Sequence, residues 1–351
     1  MARRAGNPFL SRTFQRSLSA LTRSAVRTGA KSMTQLLRAK PAKRQAAAAT
    51  RVAAKRPKAA TPAGRTGVAV HKTGVRKYLL YKPQGARRNE KLPLVVMLHG
   101  CGQDATGLSV SSRMNRVADR ERFLVLYPEQ DRLANAQGCW NWFDTSTGRA
   151  QAEADSIAAL ISQVALAQAV DVRCIAVAGL SAGAGMAALL AQRHPEIFKA
   201  VAMHSGIAPG VAHSTATALS AMLGRRVKAS PHTLARTGPP LPALLVIQGS
   251  VDHIVAHDNG TEAARLWATS AGAVAGDERI VQRGKRYAMK LMDYRTPGRL
   301  VVTLCEIMGL GHAWSGGAAG KAFSDPQGPD ASRMIWAFAA RQFALAPAVR
   351  D

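Results

Sequence analysis

Continuous apolar runs, rather than alternating ones, mark most of the strands this chain should form. Leu94–Leu98, Phe123–Tyr127, Ile175–Ala178, Lys199–Met203 and Ala243–Gln248 are short apolar stretches bounded by glycine or polar residues. Such runs predict strands buried on both faces, as in a parallel sheet. Arg76–Pro83 reads as an edge strand ended by proline, and two more strands are predicted around Ala288–Tyr294 and Leu300–Ile307. Helical spacing appears between them. Ala152–Ala169 places Ile157, Leu160, Ile161, Val164 and Leu166 at helical intervals, and Met186–Arg193, Asn259–Ser270 and Asp330–Phe343 also read as helices. Strands alternating with helices predict an α/β fold with a mostly parallel central sheet and helices on both faces.

Charge divides the chain before any motif does. Of the 48 Lys and Arg residues, 22 fall in residues 1–89, where there is no Asp or Glu; Glu90 is the first acid. Residues 1–66 therefore read as a basic tail, and residues 75–345 as an ordinary folded domain. Within the tail, Leu10, Phe14, Leu18 and Leu21 lie at helical spacing beside Arg12, Arg16, Arg23 and Arg27. That pattern predicts a basic amphipathic helix in 7–37. Residues 40–66, rich in Ala, Lys, Arg, Thr and Pro, read as a disordered linker. Adhesion to an anionic or amphiphilic surface and non-specific nucleic-acid binding are the functional readings of such a tail. An Arg- and Ser-rich, acid-free start also fits an organelle transit peptide, and a solvated extension without function is the bland alternative. No run of about eighteen apolar residues is present, so no transmembrane segment is expected. No apolar h-region follows the basic start, and a cytoplasmic location is expected on that ground.

The stretch Ile175–Gly185, IAVAGLSAGAG, carries the chemistry. An apolar strand, the pentapeptide Gly179-Leu180-Ser181-Ala182-Gly183 and a helix follow one another, the pattern of a G-x-S-x-G nucleophile elbow. A serine on a sharp strand-to-helix turn is held clear of the sheet, and side chains at the flanking glycines would strike the neighbouring strand and helix. The Ala182 N–H at the helix N-terminus then faces a developing oxyanion. A second N–H donor is expected from the Gly-rich loop 99–103, with a plain strand-to-helix turn as the bland alternative. Residues 207–240, weakly periodic and rich in small residues, read as an insertion over the active face.

In this architecture the chain order is Ser, then acid, then His. Asp252 follows a strand end, and His312 stands in the Gly-rich stretch 309–317 past another. His253 and His257 lie beside the acid and cannot readily reach the serine. Asp258 is the rival acid, expected instead to cap the following helix. A neutral imidazole would take the serine proton, with Asp252 orienting it. The aromatics of 139–144 have two readings, the lining of a substrate cleft and a plug of the core; the cleft is favoured.

LHGCGQ (98–103), CWNWFD (139–144), GLSAGAG (179–185), QGSVDHIV (248–255) and GLGHAWSGG (309–317) together resemble the catalytic domain of the polyhydroxybutyrate depolymerase family of esterases. The resemblance covers about residues 75–345 and implies an α/β-hydrolase fold and hydrolysis of short-chain polyhydroxyalkanoate esters. It implies Ser181 as nucleophile, Asp252 as acid, His312 as base, and Cys101 with Ala182 as the oxyanion hole. Trp140, Asn141, Trp142 and Trp314 are expected to touch a polyester or oligoester substrate. Relatives in that family act on feruloyl or acetyl esters, which is the alternative substrate class. The basic tail stands where secreted members carry a polymer-binding domain, so a storage-granule surface is its expected partner and nucleic acid a lesser one. A granule- or nucleic-acid-binding protein on a degenerate hydrolase scaffold is the non-enzymatic alternative. Cys101, Cys139, Cys174 and Cys305 show no CxxC spacing, and Cys174 is expected to be a buried thiol. No metal and no cofactor are expected.

Overall fold

The computed structural model of the chain describes residues 64–71, 74–225 and 239–345. The expected amphipathic helix and all but the last residues of the expected linker lie outside these. From the first described residues, β1 (Arg65–His71) and β2 (Gly74–Tyr81) form an antiparallel hairpin, and β3 (Leu92–Leu98) follows. Next come α1 (Ala105–Ser112), α2 (Met114–Glu121), β4 (Leu124–Pro128), α3 (Arg149–Ala167) and β5 (Val170–Leu180). Then α4 (Ala182–Arg193), β6 (Ala200–His204), α5 (Thr215–Met222), β7 (Ala243–Gly249) and α6 (Asp258–Ser270). Short strands β8 (Val274–Ala275) and β9 (Arg279–Val281) precede the pair β10 (Met289–Thr296) and β11 (Arg299–Ile307). The small ladder of β12 (Trp314–Ser315) with β13 (Ser324–Asp325) and the helix α7 (Ala331–Ala344) end the domain.

The sheet runs in the order β1-β2-β4-β3-β5-β6-β7-β11-β10-β8, with β9 also pairing with β10. The six strands from β4 to β11 are mutually parallel. Both flanks are antiparallel. The central strands are apolar throughout because both faces are covered. Leu94–Leu98 and Ala243–Gly249 are buried end to end, and each such Val or Leu contributes about 1.5–3 kcal/mol on burial.

Three expectations change. The segment 76–83 is not the edge of the sheet, because β1 pairs along its outer side in register from Arg65↔Leu80. Only a polar, weakly apolar sequence was available to announce β1, and its strand character comes from the partner. Asp258 does not cap α6. His257 holds the cap position, so Asp258 is already helical; its carboxylate points outward, 73% exposed, and pairs with His257 Nε2 at 2.9 Å. In the region read as an insertion, Ser214 caps α5 through a reciprocal box with Thr217; residues 226–238 are outside the description. Cys174 is half-buried rather than buried, since β5 begins well before the covered part of the sheet.

Candidate active site

Strand β5 delivers Ser181 directly into α4. Its backbone takes φ 57° and ψ −120°, a strained conformation for a residue with a side chain and one that persists only where its surroundings enforce it. The surroundings do so by contact. A Cβ on Gly179 would lie 2.2 Å from the Gly183 carbonyl oxygen, and one on Gly183 would lie 2.2 Å from that of Leu98. Strand, turn and helix can therefore close together only with glycine at both positions. The Ser181 N–H donates to the His204 carbonyl at 2.9 Å, while the Ser181 carbonyl accepts from the N–H groups of Ala184 and Gly185. Its hydroxyl is not spent on capping the helix.

The acid and the base arrive from the ends of β7 and β11, the two parallel strands that lie beyond β6 in the sheet. Asp252 Oδ2 accepts from His312 Nδ1 at 2.8 Å, with side chains 0% and 7% exposed. The Asp252 Oδ1 atom accepts from the N–H groups of Ile254 and Val255, both at 2.9 Å. Burial alone would raise the Asp252 pKa. The facing imidazole and the two backbone N–H groups outweigh it and hold the carboxyl below its ordinary range. A carboxylate only accepts, so Nδ1 carries the proton and Nε2 is the lone-pair nitrogen of the neutral ring. Three bonds sew the two turns together. Ser250 Oγ accepts from the Gly309 N–H, Ser250 N–H donates to Ile307 O, and Val251 N–H to Leu310 O. His253 and His257 are exposed beside Asp252 and take no part in this geometry.

The loop after β3 closes on the serine from the other side. A Cβ on Gly100 would stand 3.5 Å from Ser181 Cβ. Gly100 N–H donates to Gln103 Oε1, and Gly102 N–H donates to Gln137 O. A disulfide joins Cys101 to Cys139. The spacing of the cysteines carried no sign of it, because the two lie 38 residues apart and meet only when β3 and the long loop after β4 come together.

That long loop corrects the substrate-contact expectation. Trp140 and Trp314 are fully buried, and Asn141 and Trp142 nearly so. Trp140 donates its indole N–H to the His99 carbonyl at 3.0 Å, and the Arg76 guanidinium lies 5.1 Å above its ring. Asn141 is held by Glu153, whose carboxylate accepts from its backbone N–H and its side-chain amide. Trp142 packs where a Cβ on Gly185 would strike it, and Trp314 donates to Ser332 Oγ. These aromatics fill the core under the two loops: the indole N–H groups of Trp140 and Trp314 each find a buried acceptor there, and all three rings are almost wholly covered.

Sequence reasoning passed over the polar layer beneath. His99 is buried, donates Nδ1–H to Gly100 O and accepts the Gln130 N–H at Nε2; burial lowers its pKa to about 4. Gln130 also donates to Glu153, and Arg76 donates to Ser156 and to Gln130. Burial pushes the Arg76 pKa down, with Glu153 and Asp131 opposing. The signal available was weak, because Arg76 stands beside Lys77 in the same strand and nothing in the sequence distinguishes the half-buried cation from the exposed one.

A family model described as "Esterase PHB depolymerase" matches residues 76–278. Poly(3-hydroxyalkanoate) depolymerase C of Paucimonas lemoignei is 33% identical over 188 residues, 51% of this chain and 45% of that protein. Feruloyl esterase B of Neurospora crassa is 27% identical over 214 residues, 57% of this chain and 71% of that protein. The chain thus spans less than half the length of the depolymerase it matches. Among solved structures, an acetyl xylan esterase from Aspergillus awamori aligns with a TM-score of 0.58 at 18% identity, over 71% of this chain and 94% of that one. At that identity the likeness shows the fold, which is that of the α/β-hydrolase esterases. Ser181 and Asp252 lie inside the family match and His312 beyond it. With more than half of the chain covered, the protein belongs to the PHB depolymerase esterase family.

Proposed function

We propose that the protein is a serine esterase that hydrolyses short-chain polyhydroxyalkanoate esters, polyhydroxybutyrate foremost, through an acyl-enzyme. The observation that carries the reading is the buried Asp252–His312 bond of 2.8 Å, together with an elbow serine held at φ 57° whose hydroxyl is not used to cap its helix. Ser181 Oγ attacks the ester carbonyl while His312 Nε2 takes its proton. Asp252 fixes the tautomer and stabilises the imidazolium without taking the proton itself. The oxyanion is met by the Ala182 N–H and by the Cys101 N–H of the loop that lies against the serine. Collapse of the tetrahedral intermediate breaks the C–O bond, and His312 returns the proton to the leaving alkoxide. Water, deprotonated by His312 in turn, then releases the hydroxy acid. The relatives' names support an ester substrate in general, and the depolymerase among them supports the polyester in particular.

The test offers amorphous polyhydroxybutyrate, p-nitrophenyl butyrate and a feruloyl ester side by side, with Ser181→Ala as control. Polyester turnover lost in the variant, with a serine-directed phosphonate labelling Ser181, is the expected result. Turnover of the feruloyl ester alone would move the substrate class, and full activity in Ser181→Ala would remove the mechanism. The disulfide beside the site favours an oxidising compartment over the cytoplasm. For the basic residues 1–63 we infer attachment to an amphiphilic granule coat, supported by the apolar stripe beside arginines. Their deletion should spare small esters and reduce attack on granules. Displacement by DNA with a steep salt dependence would identify a polyanion binder instead.

A further inference from the structure

The end of β6 holds a histidine that the reaction scheme leaves unused. His204 is fully buried. Its main-chain carbonyl accepts the Ser181 N–H at 2.9 Å. Its ring Nε2 accepts the N–H of Ser315 at 3.1 Å, three residues past His312. Its Nδ1 lies 3.1 Å from Ser205 Oγ. The Trp314 ring stacks on its face, centroids 5.2 Å apart and planes at 25°. One residue thus touches both reacting segments, the serine turn through its backbone and the histidine loop through its ring.

We propose that His204 is a positioning residue that sets the His312 loop against Ser181. A backbone N–H must find an acceptor when buried, and Ser315 is itself fully buried. That N–H can only donate, so His204 Nε2 must present its lone pair and the proton must sit on Nδ1, directed at Ser205 Oγ. Burial, with the neighbouring His312 acting in the same direction and Asp252 opposing, holds the His204 pKa down at about 3, so the ring stays neutral and the acceptor persists at neutral pH. The stretch 309–317 contains four glycines and needs such ties. On its N-terminal side they are the bonds from Ser250 and Val251; on its C-terminal side His204 and the Trp314 indole bond to Ser332 join the Ser315 hydroxyl bond to Pro329 O and the main-chain bonds of Trp314 and Gly316 to Phe323 and Asp325. Position 204 lies between the strands that carry Ser181 and Asp252, where one side chain can span the gap. A misplacement of about 1 Å at a reacting group costs on the order of 10²-fold.

The inference rests on the esterase reading, so the experiment pairs turnover with a readout independent of it. His204→Leu keeps the bulk and removes the acceptor; His204→Gln places Oε1 near the position of Nε2. With p-nitrophenyl butyrate, His204→Leu should lower kcat by about 10²-fold with little change in KM, and His204→Gln should recover most of the loss. In the wild type, 15N NMR should show His204 protonated at Nδ1 and not at Nε2, and the Ser315 amide strongly protected from exchange. That protection should fall in His204→Leu and return in His204→Gln. Equal loss in both variants would reduce His204 to a packing residue, and a proton on Nε2 in the wild type would overturn the proposal even if His204→Leu fails to fold. A wild type inactive on every ester would remove the esterase reading, leaving the tautomer and the Ser315 protection to decide the positioning role.

Discussion

Acid should unfold this protein through two buried histidines before its carboxylates titrate. His99 and His204 are held neutral, their pKa values lowered from about 6.5 to about 4 and about 3, in both cases chiefly by burial. Each ring binds its proton more readily in the unfolded chain, so the unfolded state takes up protons between roughly pH 7 and the folded values. Stability is then complete above the unfolded pKa and falls as pH falls through that window. Between pH 7.5 and 4.5 each ring loses between roughly 2 and 3 kcal/mol, about 5 kcal/mol together. Asp155, Asp171, Asp252 and Asp293 all have lowered pKa values, and their contribution is lost only below their ordinary range near pH 4. The window above pH 4.5 therefore isolates the histidines. Urea unfolding at half-unit steps measures the free energy directly, and the melting temperature should fall by roughly 10–20 °C across the same range. His204→Gln, which cannot titrate, should remove about half of the slope. A free energy flat from pH 7.5 to 4.5, or the full slope in His204→Gln, would refute the argument.

Asp252→Asn should lower kcat by about 10⁴-fold, since an amide no longer holds the His312 tautomer; Asp258→Asn should change neither kcat nor the melting temperature, its carboxylate being exposed. Steady-state kinetics on one soluble ester checks both. Reducing the Cys101–Cys139 bond opens a loop of 38 residues and should cost about 4 kcal/mol by chain entropy, read as a lower urea midpoint in dithiothreitol than in buffer. Activity should fall with it, because the same loop lies against Ser181. Gly183→Ala drives a methyl to 2.2 Å from the Leu98 carbonyl, a backbone atom that cannot turn aside, and should cost about 3 kcal/mol or more. Gly276→Ala, where the nearest atom is 3.4 Å away, should stay within about 1 kcal/mol; thermal melts of the two variants distinguish them.

Hydrophobic patterning placed the central strands β3 to β7 and the helices α3, α4, α6 and α7, because a strand buried on both faces has no polar position to spare; it did not announce β1, α1 or α2. The elbow was legible for a related reason: the close approach of Gly179 and Gly183 to backbone leaves no alternative residue, so local geometry is written in local letters. Asp252 and His312 were legible by their places after strand ends and by chain order, since each stands on the loop that its strand delivers. What lies between elements was not. The Cys101–Cys139 bond, the inward turn of Trp140 and Trp314, the Arg76–Gln130–Glu153 layer and the bridge of His204 from Ser181 to Ser315 all join residues distant in sequence. An aromatic near a catalytic loop has the same letters whether it lines a cleft or fills a core. Only the closing of β3, β6 and the loops around them decides which face is covered, and with it whether a tryptophan meets solvent or a buried carbonyl.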